Sequence, residues 1–285
     1  MNKIKRNIIG AMFICTVMIF VVGCNNQMRD SKTADTQPKS NLTAVLTWSE
    51  IEKSLSEKGF QLAKTAEDYE IYKINDITPA VYYLNDTESI LVYDFSSIAE
   101  RVRNVPGSYL ADAFAAYEYP LSDLYAYWTF TIRNFLVVHR IDTEAMNDST
   151  FENSLKIMEQ VALDLNDGEE VLLHGKNKNW EAQTFIQYYQ NWYEDENGGV
   201  RADQLSKQVV RFKYCGLINE KPQSVQYEYK YPSGMQRGNR RLISEDEDGW
   251  VSLGRMDSSF IPDSQTVCTL NLMWDNNNES IDLTQ

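Results

Sequence analysis

Side chains with intrinsic reactivity are few: two histidines, His139 and His174, and four cysteines, Cys15, Cys24, Cys215 and Cys268. Both histidines are expected at strand ends. Neither has a Cys, a second His or a carboxylate at the spacing of a zinc site, so no metal is assigned and each is read as a satisfied or solvated ring. The sequence lacks a Gly-x-Ser-x-Gly elbow, and no glycine-rich loop runs into a helix, so no hydrolase nucleophile and no nucleotide cofactor is assigned. The acidic run Glu245-Asp246-Glu247-Asp248-Gly249 fails as a calcium loop: counted from Ser244, the twelfth position is Arg255, where a bidentate Glu is needed. A solvated Asp-Gly turn is preferred there to a looser cation site. Paired carboxylates for glycoside cleavage leave no sequence signature, because the separation that decides their chemistry is spatial.

Trp192 and Tyr193 stand beside Glu194, Asp195, Glu196 and the turn Asn197-Gly198-Gly199. A long hairpin tip here either presents the rings to a glycan or protein or folds them back onto a sheet edge. Folding back is preferred, since aromatics near turns are commonplace. Cys215 and Cys268 are the remaining disulfide partners once Cys15 and Cys24 are accounted for. An exported setting would permit that bond. Alternation, however, puts Cys268 on the face of Leu270, Leu272 and Trp274, and puts Cys215 opposite Val210, Phe212 and Tyr214. Two free thiols are therefore the alternative.

Cys24 has the clearest chemistry. Lys3, Lys5 and Arg6 precede an apolar run, Ile8 to Val22, that is shorter than the roughly 20 residues needed to span a bilayer. Val21-Val22-Gly23-Cys24 resembles the bacterial lipobox, in which the Cys receives a diacylglyceryl group and becomes the new N-terminus. Cleavage between Gly23 and Cys24 would make residues 1–23 a signal peptide, with an uncleaved anchor helix as the alternative. Two or more acyl chains hold stably where one binds only marginally, so the expected location is extracytoplasmic, lipid-anchored to the cell membrane. Residues 24–43 are polar and aperiodic, a tether expected to reach about 20–25 Å.

Residues 1–23 hold three of the 27 Lys and Arg and none of the 41 Asp and Glu, so the body carries 24 basic residues against 41 acidic, a formal charge of −17. Such a body repels nucleic acid and anionic envelope polymers, which excludes nucleic-acid partners, and favours cations or basic partners at long range only; keeping the protein soluble is the preferred reading of the charge. Its length suits two domains.

Thr47 and Glu50 form a capping box, with Leu46 and Ile51 as a hydrophobic staple, and predict a helix ending at Gly59. Strands are predicted over Tyr69–Ile74, Ala80–Leu84 and Ile90–Phe95 as an antiparallel meander, then a helix from Ser97 toward Arg103. Tyr109–Tyr117 is helix-like, and Leu124–Phe130 is of uncertain type. Ile132–Ile141 is apolar enough for a central strand. Phe151, Leu155, Met158, Ala162 and Leu165 recur at helical spacing, ending at Asp167-Gly168. Residues 44–167 thus make a small α+β domain. Beyond Gly168 the helical period disappears, and eight short runs are separated by turn residues: Val171–His174, Trp180–Tyr189, Gln208–Tyr214, Ser224–Tyr231, Arg240–Ile243, Trp250–Leu253, Thr266–Trp274 and Ser280–Leu283. Residues 168–285 are expected to form an all-β sandwich.

The order of lipobox, tether, small α+β domain and strand-rich tail resembles uncharacterised two-domain lipoproteins of Gram-positive spore-forming bacteria. Gly175 to Trp180 and Trp274 to Leu283 carry the likeness in the second half. The resemblance implies that this half is immunoglobulin-like, and it implies no activity. The functional expectation is a non-enzymatic binding or interaction module at the cell envelope, tethered through lipid on Cys24, with a protein or glycan as partner. The alternative is an envelope hydrolase using carboxylates in an interdomain cleft.

Overall fold

The structure, a computed structural model, describes residues 42–65, 72–105, 125–146, 149–242, 246 and 248–285. Gly23, Cys24, nearly all of the tether, the stretch 109–117, Glu245 and Glu247 lie outside the described residues. All described residues belong to one compact unit, Thr36–Gln285. It is mostly β, with three antiparallel sheets and three helices among the described residues.

The first sheet has five strands: β1 (Ala63–Lys64), β2 (Ala80–Tyr83), β3 (Glu88–Asp94), β4 (Tyr125–Ile132) and β5 (Phe135–Asp142), in the order β1-β2-β3-β5-β4. The expected meander is therefore corrected. β2 and β3 pair, but Ile74 makes only an isolated bridge with Ile77, and β2 takes β1 as its other neighbour. Residues 69–71 lie outside the described residues. The run 132–141 divides as well. Ile132 closes β4, and Arg133-Asn134 make a tight turn with Arg133 at φ 49°, a residue pair that carries no turn signature in sequence. β5 is central as expected, and its apolar run is buried on both faces. Phe135 and Val137 join one cluster, and Leu136 and Val138 join another.

Three helices flank this sheet: α1 (Trp48–Glu57), α2 (Ile98–Asn104) and α3 (Ser149–Leu165). Glu50 accepts from the Thr47 amide at 2.7 Å, and Ile51 and Leu55 bury the face that follows. Ser97 accepts from the Glu100 amide at 3.0 Å, while the Glu100 carboxylate turns to Ser96 instead. α3 buries Met158, Val161 and Ala162 and stops where Asp167 takes φ 51° and the Gly168 amide reaches Leu163 O at 2.8 Å.

The rest of the chain supplies eight strands: β6 (Glu169–Lys176), β7 (Trp180–Glu194), β8 (Val200–Tyr214), β9 (Ser224–Tyr231), β10 (Gly234–Arg241), β11 (Val251–Ser258), β12 (Cys268–Trp274) and β13 (Asn277–Leu283). They form two sheets, ordered β11-β8-β7-β6 and β10-β9-β12-β13. Both send side chains into one core, Ala182, Phe212 and Val251 from the first and Tyr229, Leu270 and Leu272 from the second. Burying each large apolar side chain there contributes about 1.5–3 kcal/mol. Trp180 sits within it, edge-on to Phe212, Tyr214 and Trp274 at 5.7, 5.0 and 5.2 Å. The sheets are stitched along one side by His174 and Thr284, whose backbones exchange bonds of 2.8 and 3.2 Å. Gly175 is required beside that seam, because a Cβ would run into the Asp282 carbonyl.

Each of the eight expected runs meets a strand, but β7 and β8 extend to 15 residues each. β10 begins well before Arg240, in the polar sequence Gly-Met-Gln-Arg-Gly-Asn, which lacks alternation because both faces of that edge strand are largely solvated.

Candidate functional site

The length of the β7–β8 hairpin makes two environments on one sheet face. Ala182, Thr184 and Ile186 point into the shared core, so Gln183, Phe185, Gln187, Tyr189 and Asn191 line the opposite face. Its far half is covered by the first sheet and its helices through polar contacts. The Tyr189 hydroxyl meets Thr131 Oγ1, and Asn191 Nδ2 donates to Asn166 Oδ1 at 2.8 Å. Asn166 in turn donates to the carbonyls of Thr131 and Ala162, each at 2.7 Å. Arg101 of α2, 1% exposed, forms an ion pair with Asp203 of β8. Burial pushes the Asp203 carboxyl up, against the pull of Arg101 and Asn191.

Where covered and uncovered halves meet, a cavity of about 30 Å³ contains Glu159, Phe130 and Lys207. That is room for a water rather than a substrate. Burial and the charge of Arg255 push the Lys207 ammonium down, while Glu159 opposes them from 3.9 Å. Among the described residues Glu159 is the single carboxylate in this lining, and they do not supply there the carboxylate pair that an interdomain hydrolase would need.

The near half of the face is uncovered, and an apolar row crosses it beside polar and charged residues. Leu172 of β6, Phe185 of β7 and Val209 of β8 stand directly opposite one another in register, in a row about 5 Å apart per strand. They are 52%, 38% and 38% exposed. With Gln183 and Arg211 they line a groove of about 400 Å³. Arg211 is held rigidly: Gln183 Oε1 accepts from its Nε and Nη2 at 3.1 and 2.8 Å, and its guanidinium lies 4.6 Å from the Trp250 ring centroid. Lys213 Nζ lies a further 4.6 Å contact from the same ring, and Trp250 is 8% exposed. Beyond this row, burial works against the ionised Glu181, yet Lys213, His174 and Lys176 hold its carboxyl below the usual range.

The residues singled out from sequence lie elsewhere. Trp192, Tyr193, Glu194 and Asp195 are each only part-exposed. Trp192 exchanges bonds with Thr43, its carbonyl accepting from the Thr43 amide at 2.8 Å and its amide donating to Thr43 Oγ1 at 2.9 Å. Asp195 is occupied by its own turn, accepting from the Asn197 and Gly199 amides and from Arg201. The backbone of the hairpin tip is thus tied to Thr43 and to its own turn, while its rings stay part-exposed. Cys215, just past the end of β8, is exposed and Cys268 of β12 is buried, and both are free thiols, so the possible disulfide gives way to its alternative. In the acidic run, Asp246 accepts from the Asp248 and Trp250 amides at 3.0 and 2.8 Å, a closed Asx turn.

His139 and His174 are interior to β5 and β6 rather than at strand ends. His139 is fully buried with Nε2 2.8 Å from Glu88 Oε2, a diagonal cross-strand pair that no sequence spacing reveals. Burial raises the Glu88 carboxyl, but bonds from His139, Asn85 and Ser154 and the charge of His139 outweigh it and hold it below the usual range.

The bare row was missed because Leu172, Phe185 and Val209 look like ordinary strand residues. The signal was present as adjacent apolar pairs, Leu172-Leu173, Phe185-Ile186 and Val209-Val210, which place hydrophobic side chains on both faces of antiparallel strands. No protein-family model, no curated protein and no solved structure matches the chain, and its function must be read from its own residues.

Proposed function

We propose that the chain is a membrane-anchored lipoprotein of the cell envelope, tethered through Cys24, that works as a non-enzymatic binding module and engages a protein partner through the β6–β7–β8 face. In this reading residues 44–167 form an α+β domain and residues 168–285 an immunoglobulin-like sandwich, as in the two-domain lipoproteins it resembles. The likeness to immunoglobulin domains extends to two antiparallel sheets around one core. It does not extend to strand order, since β6, β7 and β8 stay adjacent in one sheet where immunoglobulin topology would cross between sheets. The observation that carries the binding role is the inversion on the β7–β8 face: polar groups are covered and three large apolar side chains in register are bare. A protein partner is favoured over a glycan. The flat indole of Trp250 is already taken up by two cations, so it does not offer the open ring that sugar stacking uses.

Two measurements test this. Labelled palmitate fed to cells should appear on the full chain and be lost from Cys24→Ala, and an unlabelled native chain would end the anchoring proposal. Partner retention by the anchored chain should be abolished by Phe185→Asp, and full retention would end the assignment of the face.

A further inference from the structure

We infer that the bare β6–β7–β8 face receives an acidic amphipathic helix from the partner protein, laid across the strands, with a carboxylate of that helix answering Arg211. This rests on the face being a binding surface. Three observations then narrow the occupant.

The first is spacing. Leu172, Phe185 and Val209 stand in line across three neighbouring strands, about 4.8 Å apart. Successive turns of a helix advance about 5.4 Å, so apolar side chains at i, i+3 or i+4, and i+7 meet the three in turn. An extended segment repeats its same-side residues every 6.6–6.8 Å or so and falls out of step with the row.

The second is charge. In the row of Val209, Arg255 is paired with Glu159 of α3, and Lys207 beside it also faces Glu159 at 3.9 Å. One row further out stands Arg211, and among the described residues no carboxylate pairs with it. Stacking on Trp250 and the two bonds to Gln183 fix its orientation without neutralising it. The chain's net charge of −14 opposes an acidic partner at long range, so the selection is local: a preorganised guanidinium beside an apolar groove favours an anionic group in contact with it.

The third is continuity. The covered half of the same face already receives α3, which brings apolar Ala162 and Leu163 together with the carboxylate of Glu159 to the cavity at Lys207. The bare half repeats the cation and the apolar surface and lacks only the helix.

The test uses the full anchored chain in cells, with a photo-reactive residue replacing Phe185 and a control at Ile218, which is 82% exposed in the connection between β8 and β9. The crosslinked partner peptide is sequenced. The expected product is a net-acidic segment with apolar residues at spacings of three and four, formed in the Phe185 chain and not in the control. Replacing Arg211→Gln should cut its yield about tenfold, the ratio expected for one charge-assisted bond, and Arg211→Lys, which keeps the charge but loses the stacked two-bond geometry, should fall between that and the unchanged chain. A partner segment that is basic, or alternates with period two, or is insensitive to Arg211→Gln, overturns the helix and leaves the binding face intact. No crosslink above the Ile218 control overturns the face itself.

Discussion

The two halves of the β7–β8 outer face obey opposite rules. In the far half, Tyr189, Asn191 and Asp203 are polar and covered, and each is matched to a specific group on the first sheet or its helices. In the near half, Leu172, Phe185 and Val209 are apolar and bare. A surface arranged only for solubility would do the reverse, because uncovered apolar area of about 25 cal/mol per Å² is a standing cost and buried polar groups need partners. The far half is a seam whose polar pairs fix register, and the near half is a surface with contact area still to gain.

Breaking the seam should have the largest effect. Arg101→Ala leaves Asp203 buried without its cation and is expected to destabilise the chain by about 3–5 kcal/mol in urea unfolding. Arg101→Met combined with Asp203→Leu should recover most of that loss. If the single substitution is silent, the seam is solvated and the contrast between the halves fails.

A second buried polar pair sharpens the point. Glu88 is held ionised by His139, Asn85 and Ser154, so its contribution is complete above its unfolded value of about 4.5 and is lost as pH falls through its lower folded value. Glu88→Gln should therefore flatten the acid limb of the stability curve, at a cost near neutral pH of about 1–3 kcal/mol. An unchanged acid limb would show that the pair is not what holds β3 and β5 against acid.

The smallest expected effect on stability lies in the near half. Leu172→Ser and Val209→Ser should shift unfolding by no more than about 0.5 kcal/mol, since both side chains already face water. The same two changes should remove partner retention. A large loss of stability would mean that the row is part of the core and not a surface.

Local chemistry made much of this legible in sequence. The Thr47–Glu50 box, the Ser149–Leu165 period and the alternation of β9 each became the element expected. Alternation also sorted Cys268 from Cys215 correctly, because strand parity is a local property. What escaped depends on contacts between distant segments. The Glu88–His139 pair joins residues 51 positions apart, and the order β3-β5-β4 is not written in any one stretch. The Trp192–Asp195 stretch drew attention by composition, yet the Trp192 backbone is engaged by Thr43 and the Asp195 carboxylate by its own turn. The bare row was hidden for the opposite reason, its residues being unremarkable until neighbouring strands align them.

Hydroxyl-radical footprinting of the chain, in intact cells under the proposed envelope anchoring and after purification, tests the central contrast most directly. Phe185 and Leu172 should be protected in the envelope and become reactive once the protein is purified, while Tyr189 stays protected in both. Equal reactivity of Phe185 in the two states would contradict the account, because the near half would then be bare where the protein works.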